Sequence, residues 1–93
     1  MSRSTYGPDY DAAMAGAVLQ WRRRGHVQQQ ALADAFEPEP GTPARMIPWL
    51  TPGRVVESLQ RLGLVHDDRW LTPMGMLVRE AGLAERKRAR ASS

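Results

Sequence analysis

From Pro8 onward, Tyr10, Met14, Ala17 and Trp21 follow one another at spacings of four, three and four, with Ala13 and Val18 beside them. That period predicts a helix with one apolar face, which Gly25 ends. A second helix is predicted over 27–36 (VQQQALADAF), with Ala31, Leu32, Ala35 and Phe36 turned inward and the three glutamines on a solvated face. The stretch EPEPG at 37–41 stops it as an acidic loop, because proline cannot continue a helix. A third stripe runs through Val55, Val56, Leu59 and Leu62, with Arg54, Glu57, Ser58 and Arg61 outside it and Gly63 as its stop. Then LVHDDRWLT reads as two very short β-prone pieces, 64–66 and 69–71, around a polar turn. A last helix turns Met74, Leu77, Val78 and Ala81 inward, and Gly82 is placed to interrupt it before the basic stretch ERKRAR.

The tetrapeptide WLTP occurs twice, its tryptophans, Trp49 and Trp70, 21 positions apart. Threonine followed by proline suits a helix start: the hydroxyl accepts an orphan N–H, and proline is preset in φ for the first turn. Each copy is therefore predicted to begin a helix, at Thr51 and at Thr72, with the apolar pair before the cap packing back on the new helix. Thr42-Pro43 offers the same start a third time, for a very short helix PARMI that Pro48 closes.

Ninety-three residues predict one small domain, organised as an arm (1–8), a folded body (9–85) and a basic flexible tail (86–93). The absence of cysteine removes disulfides and thiolate metal sites, and with no apolar run of membrane-spanning length and no leader-like start the expectation is a cytoplasmic protein without a membrane partner. The net charge of +3 is uneven: 1–24 carries +2, 25–50 carries −2 and 51–93 carries +3. Twelve of the thirteen basic residues are arginine, whose planar fork suits phosphates and guanine edges. A GC-rich coding sequence would enrich arginine equally, so composition alone does not decide.

The run LQRLGLV, a minimal hairpin and LTPMG resembles the winged helix-turn-helix family, most closely its multiple-antibiotic-resistance-regulator-like members, whose comparable stretch reads roughly L..L...GLV....R...LT..G. Leu59, Leu62, Gly63, Leu64, Val65, Arg69, Leu71, Thr72 and Gly75 match it. The resemblance implies a mainly α fold with a small β-hairpin wing, double-stranded DNA as partner, and 51–62 as the recognition helix in the major groove. It makes Thr51, Gly53, Arg54, Ser58, Arg61 and Arg69 the DNA-binding candidates, with arginine suited to guanine, serine to a phosphate or base edge, and the N–H groups around Gly53 to a phosphate. Three features depart from the pattern. The wing tip is Asp67-Asp68, 14 residues (37–50) separate the second helix from Thr51, and the wing is short.

Other residues keep two readings. Arg22, Arg23 and Arg24 either complement a helix dipole or join Arg86, Lys87 and Arg88 as phosphate contacts. Glu57 and Arg61 suit a surface ion pair. Trp49, between prolines, is a core residue or an anchor for a protein partner. His66, Asp67 and Asp68 are adjacent in a turn and cannot all converge on a metal, so no metal or other cofactor is expected. No nucleophile, phosphate-cradling or paired-carboxylate pattern points to an enzyme. Two functions therefore stand: a small DNA-binding transcriptional regulator or mobile-element architectural factor, or a winged-helix protein-interaction module working through 37–50 and the acidic wing. A homodimer is expected of the first, paired through the terminal helices with Met76 and Leu83 as a second apolar face.

Overall fold

The computed structural model describes residues 7–42 and 44–92. Among them the chain forms four helices, α1 (Gly7–Arg23), α2 (His26–Ala33), α3 (Gly53–Arg61) and α4 (Pro73–Ser92). α4 packs on α1 and α2, and α2 packs on α3. No helix among the described residues is long and apolar enough to cross a membrane. Residues 1–6 of the expected arm and Pro43 lie outside the described residues.

Most of the face predicted for α1 is the one it uses: Ala17 and Trp21 are buried, with Met14 and Val18 packed at the edge, while Ala13, placed beside that face, is exposed. Arg24 N–H donates to the Trp21 carbonyl at 3.0 Å, and extended Gly25 then serves as the N-cap of α2. Glycine has no side chain to cap with, so the reciprocal bond comes from Gln28, whose amide oxygen accepts the Gly25 N–H at 3.2 Å. α2 stops at Ala33, three residues before the predicted end. Ala31, Leu32 and Ala35 are buried as expected, but Phe36 is 36% exposed and no longer helical. Residues 37–42 turn the chain back, with Gly41 at φ 84°, so that Phe36 and Met46 exchange two backbone hydrogen bonds of 3.0 and 2.9 Å.

The same reversal removes the short helix expected over 43–47. Met46 bridges Phe36 on one side and Trp70 on the other, while Ile47 N–H donates to Arg69 O and Leu71 N–H to Arg45 O. Backbone groups already paired sideways cannot make a helix. Ile47 is fully buried in return.

α3 buries Val56 and Leu59, half-buries Val55 and leaves Leu62, counted in its stripe, exposed as the C-cap. Gly63, at φ 76°, donates to Gln60 O, and Leu64 N–H reaches back to Leu59 O, the paired bonds of a glycine-terminated helix end. The expected wing is not built as strands: a single bridge, Val65 to Leu71, joins its arms. His66 N–H to Trp70 O (2.7 Å) and Arg69 N–H to His66 O (3.0 Å) close the turn, which needs a left-handed residue at Arg69 (φ 76°).

α4 buries Val78 and Ala81, whereas Met74, expected inside, is 49% exposed and Met76 packs against the core instead. Of the two residues expected to give a second apolar face, Met76 packs at the edge of the core and Leu83 is half-buried. Gly82 does not interrupt the helix. A Cβ there would fall 2.0 Å from the Trp21 indole, so glycine is what lets α1 and α4 approach. The helix continues to Ser92, which makes the expected tail helical over most of its length.

Candidate nucleic-acid interface

With Val56 and Leu59 held inward, helical geometry turns Arg54, Glu57 and Arg61 of α3 to solvent. Arg54 makes no side-chain hydrogen bond or ion pair among the described residues. Arg61 approaches Glu57 at 3.5 Å, both side chains largely exposed, so the pair adds little to stability and is open to exchange. Ser58 is differently placed. Its hydroxyl donates to Val55 O and accepts from the Gln28 amide, both at 2.8 Å, in a half-buried position between α2 and α3. Its proton is held within α3, and one of its lone pairs takes the bond that ties α3 to α2.

The glutamines of α2 thus are not all a solvated face. Gln28 ties α2 to α3, Gln29 donates to Trp21 O at 2.8 Å, and Gln30 alone stays exposed, bonded to Asp34. Arg79, which the sequence did not single out, donates to Leu32 O and Ala33 O at the end of α2. Burial first, then the charge of Arg45, lowers its pKa, with Glu80 opposing. Arg45 donates to Ala35 O. The available signal was an arginine between the buried positions Val78 and Ala81, where a guanidinium needs acceptors.

The N-terminus of α3 departs from the predicted cap. Pro52, not Thr51, is the N-cap, no side chain caps the helix, and Gly53 begins it. Thr51 instead closes a turn, its N–H donating to Pro48 O at 3.1 Å. Arg69, expected to reach DNA from the wing, is half-buried. Its guanidinium donates to Pro48 O at 2.9 Å and lies 5.5 Å from the Trp49 ring centre. Trp49 itself is 68% exposed and Leu50 is 96% exposed.

The remaining basic candidates divide. Arg22 pairs with Glu85 across α1 and α4, and that hydrogen bond, then the carboxylate charge, raises its pKa. Arg24 donates to Gln20 O, and Arg86 stacks 5.1 Å over Trp21. Arg23, Lys87 and Arg88 are exposed. In the turn after α3, Asp68 accepts the Trp70 N–H, and among the described residues no three His, Asp or Glu side chains gather as a metal site.

Comparison with family models, with curated proteins and with solved structures finds no match.

Proposed function

We propose that the chain is a small double-stranded-DNA-binding protein of winged helix-turn-helix type, with α3 as the helix that enters the major groove. The observation that carries this reading is the face of α3: Arg54 and Arg61 point outward on a helix whose opposite side is fixed by Val56, Leu59 and the Ser58–Gln28 bond. A recognition helix needs such rigidity, because bidentate contact with a guanine tolerates little misplacement. The order of elements is in keeping with it. Between α2 and α3 lie the 37–42 reversal, the extended 45–47 segment and a turn at 48–51, a longer link than a simple helix-turn-helix has, and α3 is followed by a hairpin trimmed to one bridge. Base readout then rests on Arg54 and Arg61, phosphate contact on the uncapped start of α3 at Gly53, and Ser58 and Arg69 act as supports for the reading head.

The test is binding to random duplex across a salt series, followed by a selected site. Affinity should fall linearly on logarithmic axes with rising salt. Arg54→Ala and Arg61→Ala should each weaken specific binding by about 1 to 3 kcal/mol without changing the fold. No binding at low salt, or both variants binding as wild type does, refutes the reading.

A second reading, a protein-interaction module, is favoured by one observation: Trp49 and Leu50 stand out of the surface on a turn flanked by Pro48 and Pro52. Isolated exposed leucines are ordinary, but an adjacent Trp-Leu pair this exposed is a candidate anchor.

A further inference from the structure

The second reading above leaves its partner undefined, and the chain carries a surface that suits the Trp-Leu turn. A groove of about 430 Å³ opens between Ala44, His66, Asp68, Trp70, Leu71, Pro73 and Met76. Its volume is in the range, about 300 to 1,000 Å³, that holds a compact ligand, and Ala44, Leu71, Pro73 and Met76 give it apolar walls.

The charges beside the two surfaces are opposite. Arg69 lies against Trp49, and exposed Arg54 stands two residues beyond Pro52 in the first turn of α3, so basic side chains flank the turn. Asp68 lines the groove and exposed Asp67 adjoins it, so the groove has an acidic rim. Both surfaces also belong to one ribbon. The 45–47 segment runs antiparallel to 69–71, with Ala44 at the groove end and the Trp49–Leu50 turn at the other. Five residues of chain span at most about 18 Å, so turn and groove are close neighbours. A two-fold axis crossing the ribbon would exchange them reciprocally and close the contact at two copies.

We propose that the chain pairs with a second copy of itself, the Trp49–Leu50 turn of each protomer seated in the groove of its partner. This rests on the protein-interaction reading of the turn and is independent of DNA. It moves the dimer contact away from the terminal helices.

Sedimentation equilibrium of the full chain without DNA, from about 5 µM to 1 mM, tests it. Wild type should pass from monomer to dimer in that range. Leu50→Asp and Trp49→Ala, both at exposed positions, should each raise the dissociation constant on the order of 30-fold. Asp67→Lys should weaken pairing severalfold, and Ala44→Trp, which fills the groove, should abolish it. Leu19→Asp, on the exposed side of α1, should leave pairing unchanged. Mixed in equal amounts, Leu50→Asp and Ala44→Trp chains should associate more strongly than either alone, since one turn and one groove remain intact. A wild-type chain that stays monomeric overturns the proposal, as does pairing that survives Leu50→Asp or a mixture that gains nothing. The salt series on DNA is unaffected by any of these results, so the failure of the dimer and the failure of the DNA reading are separable. A monomer that still loses binding to some other protein on Leu50→Asp would overturn the dimer alone and leave the turn an anchor.

Discussion

The two copies of WLTP meet opposite fates. In the second, Leu71 is 3% exposed, Trp70 is half-buried in the bridge to Met46, and Thr72 caps α4 by accepting the Gly75 N–H at 3.0 Å. In the first, Leu50 is almost wholly exposed, Trp49 is 68% exposed with Arg69 over one face of its ring, and no side chain, Thr51 included, caps α3. Four identical residues thus form a core-and-cap unit in one place and a surface turn in the other.

What separates them is the chain on either side. Arg69 hands Trp70 and Leu71 to an extended partner segment, and Thr72 is then fixed twice by the end of α3: its N–H donates to Leu64 O and its hydroxyl to Gly63 O at 2.6 Å. That double hold aims the threonine oxygen at α4. Pro48 instead opens a turn that Thr51 closes, and Pro52, at ψ 141°, is still extended, so the helix starts one residue late. A cap is a local device, but its geometry is supplied by tertiary neighbours.

The largest expected contrast comes from the glycine that follows each copy. A Cβ on Gly75 would lie 1.9 Å from the Leu64 carbonyl oxygen, a backbone atom that cannot swing aside, whereas nothing lies within 4 Å of one on Gly53. Gly75→Ala should therefore destabilise by more than about 4 kcal/mol or prevent folding, as a forced backbone shift does. Gly53→Ala should be neutral or stabilise by up to about 1 kcal/mol through the unfolded state. Chemical denaturation reads both, and equal effects would remove the distinction between the two helix starts.

Next is the leucine of each copy. Leu71→Ala removes a buried side chain and should cost about 2 to 5 kcal/mol. Leu50→Ala should change stability by less than about 0.5 kcal/mol, since it takes nothing out of a packed region. A large loss at Leu50 would mean that the turn is covered within the protomer.

Much of this was legible before folding and some was not, for physical reasons. Most of the faces of α1 and α3 and the Gly63 stop follow from residues that interact within a few positions, and the Thr-Pro signal marked Thr72 as a cap although Gly63 and Leu64 supply its geometry. Phe36 and 44–47 were misjudged because their conformation is fixed by pairing between segments 10 and 24 residues apart, which overrides the Thr-Pro signal at 42–43. The candidate site divides the same way. Arg54 and Arg61 are exposed, as helical period requires, but nothing local says that Gln28 takes Ser58 or that Pro48 takes Arg69. The tail was misread as loose because its helix is continued from a packed segment, with Arg86 laid over Trp21.

The threonines give a smaller contrast. Thr72→Ala loses the bond to Gly75 N–H and the one to Gly63 O, and should cost about 1 to 2 kcal/mol. Thr51→Ala loses no capping bond and should stay within about 0.5 kcal/mol. Melting of the two variants side by side decides it, and a matching loss at Thr51 would show that it caps α3 in solution.

The smallest net change is expected of a glycine at Arg69, the residue that joins the two copies: it precedes the second and holds the first through Pro48 O and the Trp49 ring. Its left-handed backbone costs a non-glycine residue about 1 to 2 kcal/mol. The guanidinium contacts should return a similar amount, about 1 kcal/mol for the hydrogen bond and about 0.5 to 1 for the stacked cation. Arg69→Gly removes strain and contacts together, so its stability should lie within about 0.5 kcal/mol of wild type. Arg69→Ala keeps the strain and loses the contacts, and should fall about 1 to 2 kcal/mol below. In both, Trp49 loses the cation over its ring, so the tryptophan emission of the folded chain should change alike. If alanine is tolerated as well as glycine, the left-handed conformation does not strain this turn, and the two copies are not coupled through Arg69 in the way their geometry implies.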